Sequence, residues 1–151
     1  MARKRARNRA PEDLSEYQGC PPESELGMLP LAIGWLERGT QFDTGPVPDG
    51  FTDKLLAFCQ SDLLVCEIGG RWHCGVDNHK IEPIRVGRQE FILGKGEIRV
   101  IGDDNIYAAP DLVYHYVTEH QYRPPDAFVR AVMMGPPAGS PEHRAYINFL
   151  R

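Results

Sequence analysis

Four of the five histidines in this chain fall into two tight clusters. One cluster, residues 71–79, holds His73, Cys74, Asp77 and His79. The other, residues 107–120, holds Asp111, His115 and His120. A tetrahedral ion such as zinc needs borderline and soft donors gathered at one point, usually as two pairs from two short segments. The pattern therefore asks for a fold in which the middle of the chain meets a late segment.

The spacing of the second pair, His115-x4-His120, lies in the range used by structural zinc pairs. On an uninterrupted helix the two positions stand about 140° apart, too far round to share an ion. Sharing requires the helix to end near His120, and Pro124-Pro125 follow shortly after. In the first cluster Cys74 is the best ligand, because a thiolate is the softest donor present. His79 or Asp77 would be second. His73 faces away from Cys74 if the segment is a strand. The expected zinc set is Cys74, His79, His115 and His120. The competing reading is four structural histidines, each satisfied by hydrogen bonds, with a core thiol.

The rest of the chain supplies the frame. Phe51, Leu55 and Phe58 recur at helical spacing, with Cys59 on the same stripe as a small core residue. Short apolar runs at 63–68, 71–74, 81–86, 90–93 and 97–101 suggest strands. Gly94-Lys95-Gly96 between the last two suggests a hairpin turn. Asp111 suits a helix cap, followed by an inward stripe of Leu112, Val113, Tyr116, Val117 and His120. A second helix is expected over 126–134. A third begins at Ser140-Pro141-Glu142, which reads as a cap with proline in the first turn. The expected fold is α+β: roughly three to five strands in a small antiparallel sheet, packed by about three or four helices. A zinc-bound hairpin-to-helix unit would make it treble-clef-like. Residues 1–27 read as a loose basic-then-acidic arm, 28–134 as the domain, and 135–151 as linker and final helix.

Charge separates the arm from the body. Arg3, Lys4, Arg5, Arg7 and Arg9 occur in the first ten residues without an acid, whereas the whole chain has net charge −4. The body is therefore strongly acidic, which does not suit a dedicated nucleic-acid-binding surface. The arm itself could contact phosphates or an acidic partner. No run approaches the roughly 18 apolar residues of a membrane span. Without an export signal the four cysteines are expected as thiols or ligands, and the location as cytoplasmic.

The segment Tyr107-x-Ala109-Pro110-x-Leu112-x2-His115-Tyr116-Val117-x2-His120-x-Tyr122-x-Pro124-Pro125-x2-Phe128-x2-Ala131-Val132 resembles a group of small, largely uncharacterised bacterial proteins. The likeness spans roughly residues 30–134 and is strongest over 97–132. It implies a His-x-Cys-x2-Cys knuckle joined to a hairpin and a His-Tyr helix. Here Cys74 directly follows His73, and Asp77 stands where the second cysteine is expected. The resemblance implies a shared fold and brings no activity.

No phosphate loop, nucleophile elbow or motif-placed carboxylate pair is present. The leading expectation is therefore a non-enzymatic protein-interaction module with a structural zinc. Tyr114 is its expected exposed contact, together with the basic arm. Two alternatives stand beside it. One is a metal-dependent hydrolase using His73, His79, His115 and His120, with Asp77, Glu119 or Asp111 as base. The other is nucleic-acid binding through residues 1–10.

Overall fold

The computed structural model describes residues 10–19 and 21–151. Among them are five α-helices and five short strands: α1 Pro21–Leu26, β1 Leu31–Ala32, α2 Phe51–Phe58, β2 Ile84–Val86, β3 Gln89–Phe91, β4 Glu97–Ile101, β5 Ile106–Pro110, α3 Val113–His120, α4 Asp126–Met134 and α5 Pro141–Phe149. The fold class is α+β. The sheet is mixed, not purely antiparallel. Its order is β1-β5-β4, with β1 parallel and β4 antiparallel to the central β5. Strands β2 and β3 form a separate antiparallel hairpin.

Strand β4 explains how the layers form. Ile98 and Val100 are fully buried and belong to the main core, with Phe51, Leu55 and Phe58 of α2 and Phe128 and Val132 of α4. Phe128 sits edge-on to both Phe51 and Tyr107. The alternate residues Glu97 and Arg99 share the other face of the strand and are just as buried. Arg99 donates to both carboxylate oxygens of Glu23 from α1, at 3.0 and 3.1 Å. It also lies 3.0 Å from Glu97. Tyr17 donates to Glu97 at 2.5 Å, and Tyr146 donates to Glu23. Behind this network, His143 of α5 meets the Arg99 carbonyl through Nε2 at 2.9 Å and accepts from the Gly139 N–H through Nδ1.

These contacts move the domain's beginning. The chain before residue 28 was expected as a loose arm, yet from residue 10 its described part is tied down. Leu14 and Tyr17 donate to the carbonyls of Ala32 and Pro30. Asp13 accepts from the Gly34 N–H and the Tyr122 hydroxyl. Apolar content alone underrated this segment, because polar groups make its long-range contacts. The linker before α5 leads into a helix that begins as expected, with Ser140 accepting from the His143 N–H.

The middle of the chain departs most from its strand pattern. Val65 forms a single bridge with Glu97, and no regular strand covers 63–68 or 71–74. The expected hairpin through Gly94-Lys95-Gly96 does not form. Strand β3 turns back on β2 through Gly87, which has φ 61°, and β4 pairs with β5. The reason lies in Asp111. It does not cap a helix. Its buried carboxylate accepts the Gly94 N–H at 2.8 Å and the Lys95 N–H at 3.1 Å. The carbonyls of Gly94, Lys95 and Gly96 accept from Trp72, Ile68 and Asp111. The backbone groups that would close a hairpin are thus taken by three other segments.

Burial lifts the Asp111 carboxyl from 3.8 to about 6, against the lowering effect of those N–H donors. Between these values the folded protein holds a proton that the unfolded chain has released. Stability conferred at this site is therefore full at low pH and declines as pH climbs from about 4 to about 6, by an amount on the order of 3 kcal/mol. Denaturant titrations of the wild type and Asp111→Asn across that range check this. The wild type should lose stability relative to the variant as pH rises.

Cys59 and Cys74 are free and buried, and Cys59 sits in the core as expected. Cys66 is disulfide-bonded, which corrects the expectation that the cysteines are thiols or ligands. Among the described residues no helix is long and apolar enough to cross a membrane.

Candidate metal centre

Residues 74–79 form a closed knuckle. The Cys74 N–H donates to the His79 carbonyl at 3.0 Å, and the Asn78 N–H returns to the Cys74 carbonyl at 2.8 Å. Asn78 takes the left-handed conformation the reversal needs, with φ 59°. Asp77 braces the turn by accepting the His79 N–H at 3.0 Å. The knuckle's backbone is docked on α3 from the Gly75 N–H to the Tyr116 hydroxyl at 2.8 Å. Only glycine fits there, since an added Cβ would lie 2.1 Å from the Leu36 carbonyl oxygen.

Helix α3 brings the second pair. Its buried side carries Val113, Tyr116 and Val117. It stops at His120 because Gln121 turns left-handed, with φ 55°, so that the Tyr122 N–H returns to the Tyr116 carbonyl at 3.1 Å. This termination overcomes the angular separation of the histidines. Their rings meet edge to face at 5.2 Å.

The result is a group of four donors. Cys74, Asp77, His115 and His120 each offer one ligand atom, and all four atoms lie within 4.8 Å of one another. His120 Nε2 is 3.4 Å from the Cys74 sulfur and 3.3 Å from an Asp77 oxygen. Around a tetrahedral zinc, bonds of about 2.0–2.3 Å put donors roughly 3.3–3.8 Å apart, so contraction by about 1 Å would close the set. His115 Nε2 is buried with no hydrogen-bond partner. Burial, and then the neighbouring His120, depress the His115 pKa and keep its imidazole neutral. A neutral imidazole with a stranded ring nitrogen is poorly satisfied unless that nitrogen takes a ligand. Burial also raises the Cys74 thiol, while the His79 N–H holds Asp77 below the usual carboxylate range.

The donor set differs from the expected one at one position. His79 is exposed and outside the group. Its backbone closes the knuckle, which leaves Asp77 on the inner side of the turn beside His120. His73 lies in the wall of a different cleft, with Trp72, apart from the other histidines. The four-histidine constellation of the hydrolase reading is therefore not assembled as a unit. Asp111 is occupied at the Gly94 turn, whereas Glu119 lines a cleft of about 620 Å³ together with His79, His115 and His120. Tyr114 does not project as a free contact. It is half-buried against the core in the wall of that same cleft. Of the expected arm contacts, Arg3, Lys4, Arg5, Arg7 and Arg9 lie outside the described residues.

Sequence reasoning passed over Tyr116 as the dock for the knuckle and Arg99 as the centre of a buried charge network. For Arg99 a signal existed: Glu97 and Arg99 share one face of an otherwise apolar strand.

The chain matches none of the curated proteins and none of the solved structures. Residues 10–133 match the model of a domain of unknown function, DUF7919. The chain belongs to this uncharacterised domain family.

Proposed function

We propose that the domain is a non-enzymatic protein-interaction module whose knuckle is fastened to α3 by a structural zinc ion on Cys74, Asp77, His115 and His120. The observation that carries the metal is the buried, unpartnered Nε2 of His115 within a sulfur, nitrogen and oxygen donor set. One thiolate, two imidazoles and a carboxylate suit zinc better than the oxygen-seeking magnesium or calcium. Four protein donors leave no coordination position for water or substrate, which favours a structural role. The net acidic chain favours a basic protein partner, with association that weakens as salt rises.

Elemental analysis of the purified protein tests the metal. Zinc at about one equivalent per chain is expected, lost in Cys74→Ala and His115→Ala and kept in His79→Ala. A protein purified under metal-replete conditions without zinc would end the reading.

A second reading has one observation behind it. The cleft beside the donors carries Glu119, and the His120 side chain is 20% exposed there. A hydrolytic metal with one displaceable protein ligand would use Glu119 as base. Glu119→Gln separates the two. Loss of turnover with metal content and fold intact supports a hydrolase.

A further inference from the structure

Both tryptophans of the chain stand in the wall of one cleft of about 460 Å³, which Cys74 also lines and which is distinct from the cleft of His115 and His120. A concavity of this size suits a small organic ligand. Trp35 and Trp72 meet edge to face with centroids 5.9 Å apart. Tyr17 stacks on Trp35 at 4.9 Å, and the Trp35 indole N–H is held by the Ala108 carbonyl. That wall is preformed. The rim is polar and uncommitted. The His73 ring, the Asn78 amide and the Trp72 indole N–H form no hydrogen bond among the described residues.

Charge decides between ligand classes. The chain has 21 acidic residues, yet no carboxylate lines this cleft. Arg71 does line it. Its Nε and Nη2 donate only to the neutral carbonyls of Leu93 and Ile81, at 2.6–3.1 Å. It makes no ion pair among the described residues. Asp111, whose charge it does feel, is buried with its oxygens held by the Gly94 and Lys95 N–H groups. An entering cation would meet a guanidinium and no counter-charge. An aromatic anion would stack on the indoles and meet a guanidinium that no carboxylate is bonded to.

We propose that this cleft binds a small aromatic carboxylate. The site goes beyond the interaction-module reading, and the Trp35, Trp72 and Arg71 side chains it rests on lie outside the donor group. Phenylacetate, its neutral amide phenylacetamide and the cation phenethylamine test it on the full chain, because tryptophan fluorescence reports on these two indoles alone. Phenylacetate should give a saturable change with an affinity about tenfold above that of phenylacetamide, and phenethylamine should give none. Calorimetry on Trp72→Ala should show phenylacetate binding weakened about tenfold or more. Should that variant fail to fold, the wild-type ligand series decides by itself. Equal responses to acid and amine would overturn the proposal, as would no saturation up to about 20 mM phenylacetate. Zinc measured on the same samples keeps failure here distinct from failure of the metal centre.

Discussion

Chelation with excess EDTA should lower the melting temperature of the zinc-loaded protein by roughly 10 °C. An ion bound only by the folded state stabilises by about 4 kcal/mol when its free concentration exceeds Kd a thousandfold. In a domain of this size each kcal/mol moves the midpoint by about 2–4 °C. The geometry explains why the loss would be felt throughout the knuckle. Among the described residues, the 74–79 turn is joined to α3 from Gly75 to Tyr116 and through the donor group itself. Cys74→Ala and His115→Ala should melt near the chelated wild type and ignore EDTA. His79→Ala should respond to EDTA as the wild type does, because its side chain is exposed and outside the donor group. Differential scanning calorimetry with and without chelator makes the comparison. A wild type whose midpoint is indifferent to chelation, with zinc shown to be removed, would contradict a structural role.

Replacing Arg99 should be at least as damaging. Its guanidinium is fully enclosed between Glu23 and Glu97, both nearly inaccessible. Arg99→Met leaves two carboxylates in the interior with, among the described residues, only the Tyr17 and Tyr146 hydroxyls as side-chain donors. Removing one partner from a buried ion group costs about 3–5 kcal/mol, since the remaining charge keeps its desolvation penalty. The defect should depend on pH. Burial already holds Glu97 above the usual carboxylate range despite Arg99, and losing the cation pushes it further in the same direction. A carboxyl whose folded pKa is raised favours folding while protonated. The gap between wild type and Arg99→Met should therefore narrow as pH falls from neutral towards about 4 and widen as it rises again. Urea unfolding at several pH values tests this, and a gap that does not change with pH would count against it.

Local order announced itself in the sequence where it depends on neighbours along the chain. The Phe51, Leu55, Phe58 stripe became α2, and Ser140-Pro141 opened α5 with the expected cap. The five-residue interval from His115 to His120 was readable as a ligand pair only on condition that the helix end there. Nothing local to Gln121, a residue that seldom turns left-handed, announced that it would. The turn glycines misled for the opposite reason. Gly94 and Gly96 have the composition of a hairpin, but Asp111, fifteen residues after Gly96, takes up their N–H neighbours from across the fold. Choosing Asp77 over His79 also required coordinates, because both lie within a knuckle whose closure decides which side chain turns inward.

From its residues alone this chain could declare its donors, its apolar stripes and its helix starts, because those are properties of chemical type and of repeat along a single segment. Which donors converge, which carboxylate crosses to brace a distant turn, and which arginine is sealed inside are consequences of packing between segments far apart in the chain. Only the folded molecule decides them, since the energy of a buried charge or a stranded imidazole nitrogen depends on what has been brought against it.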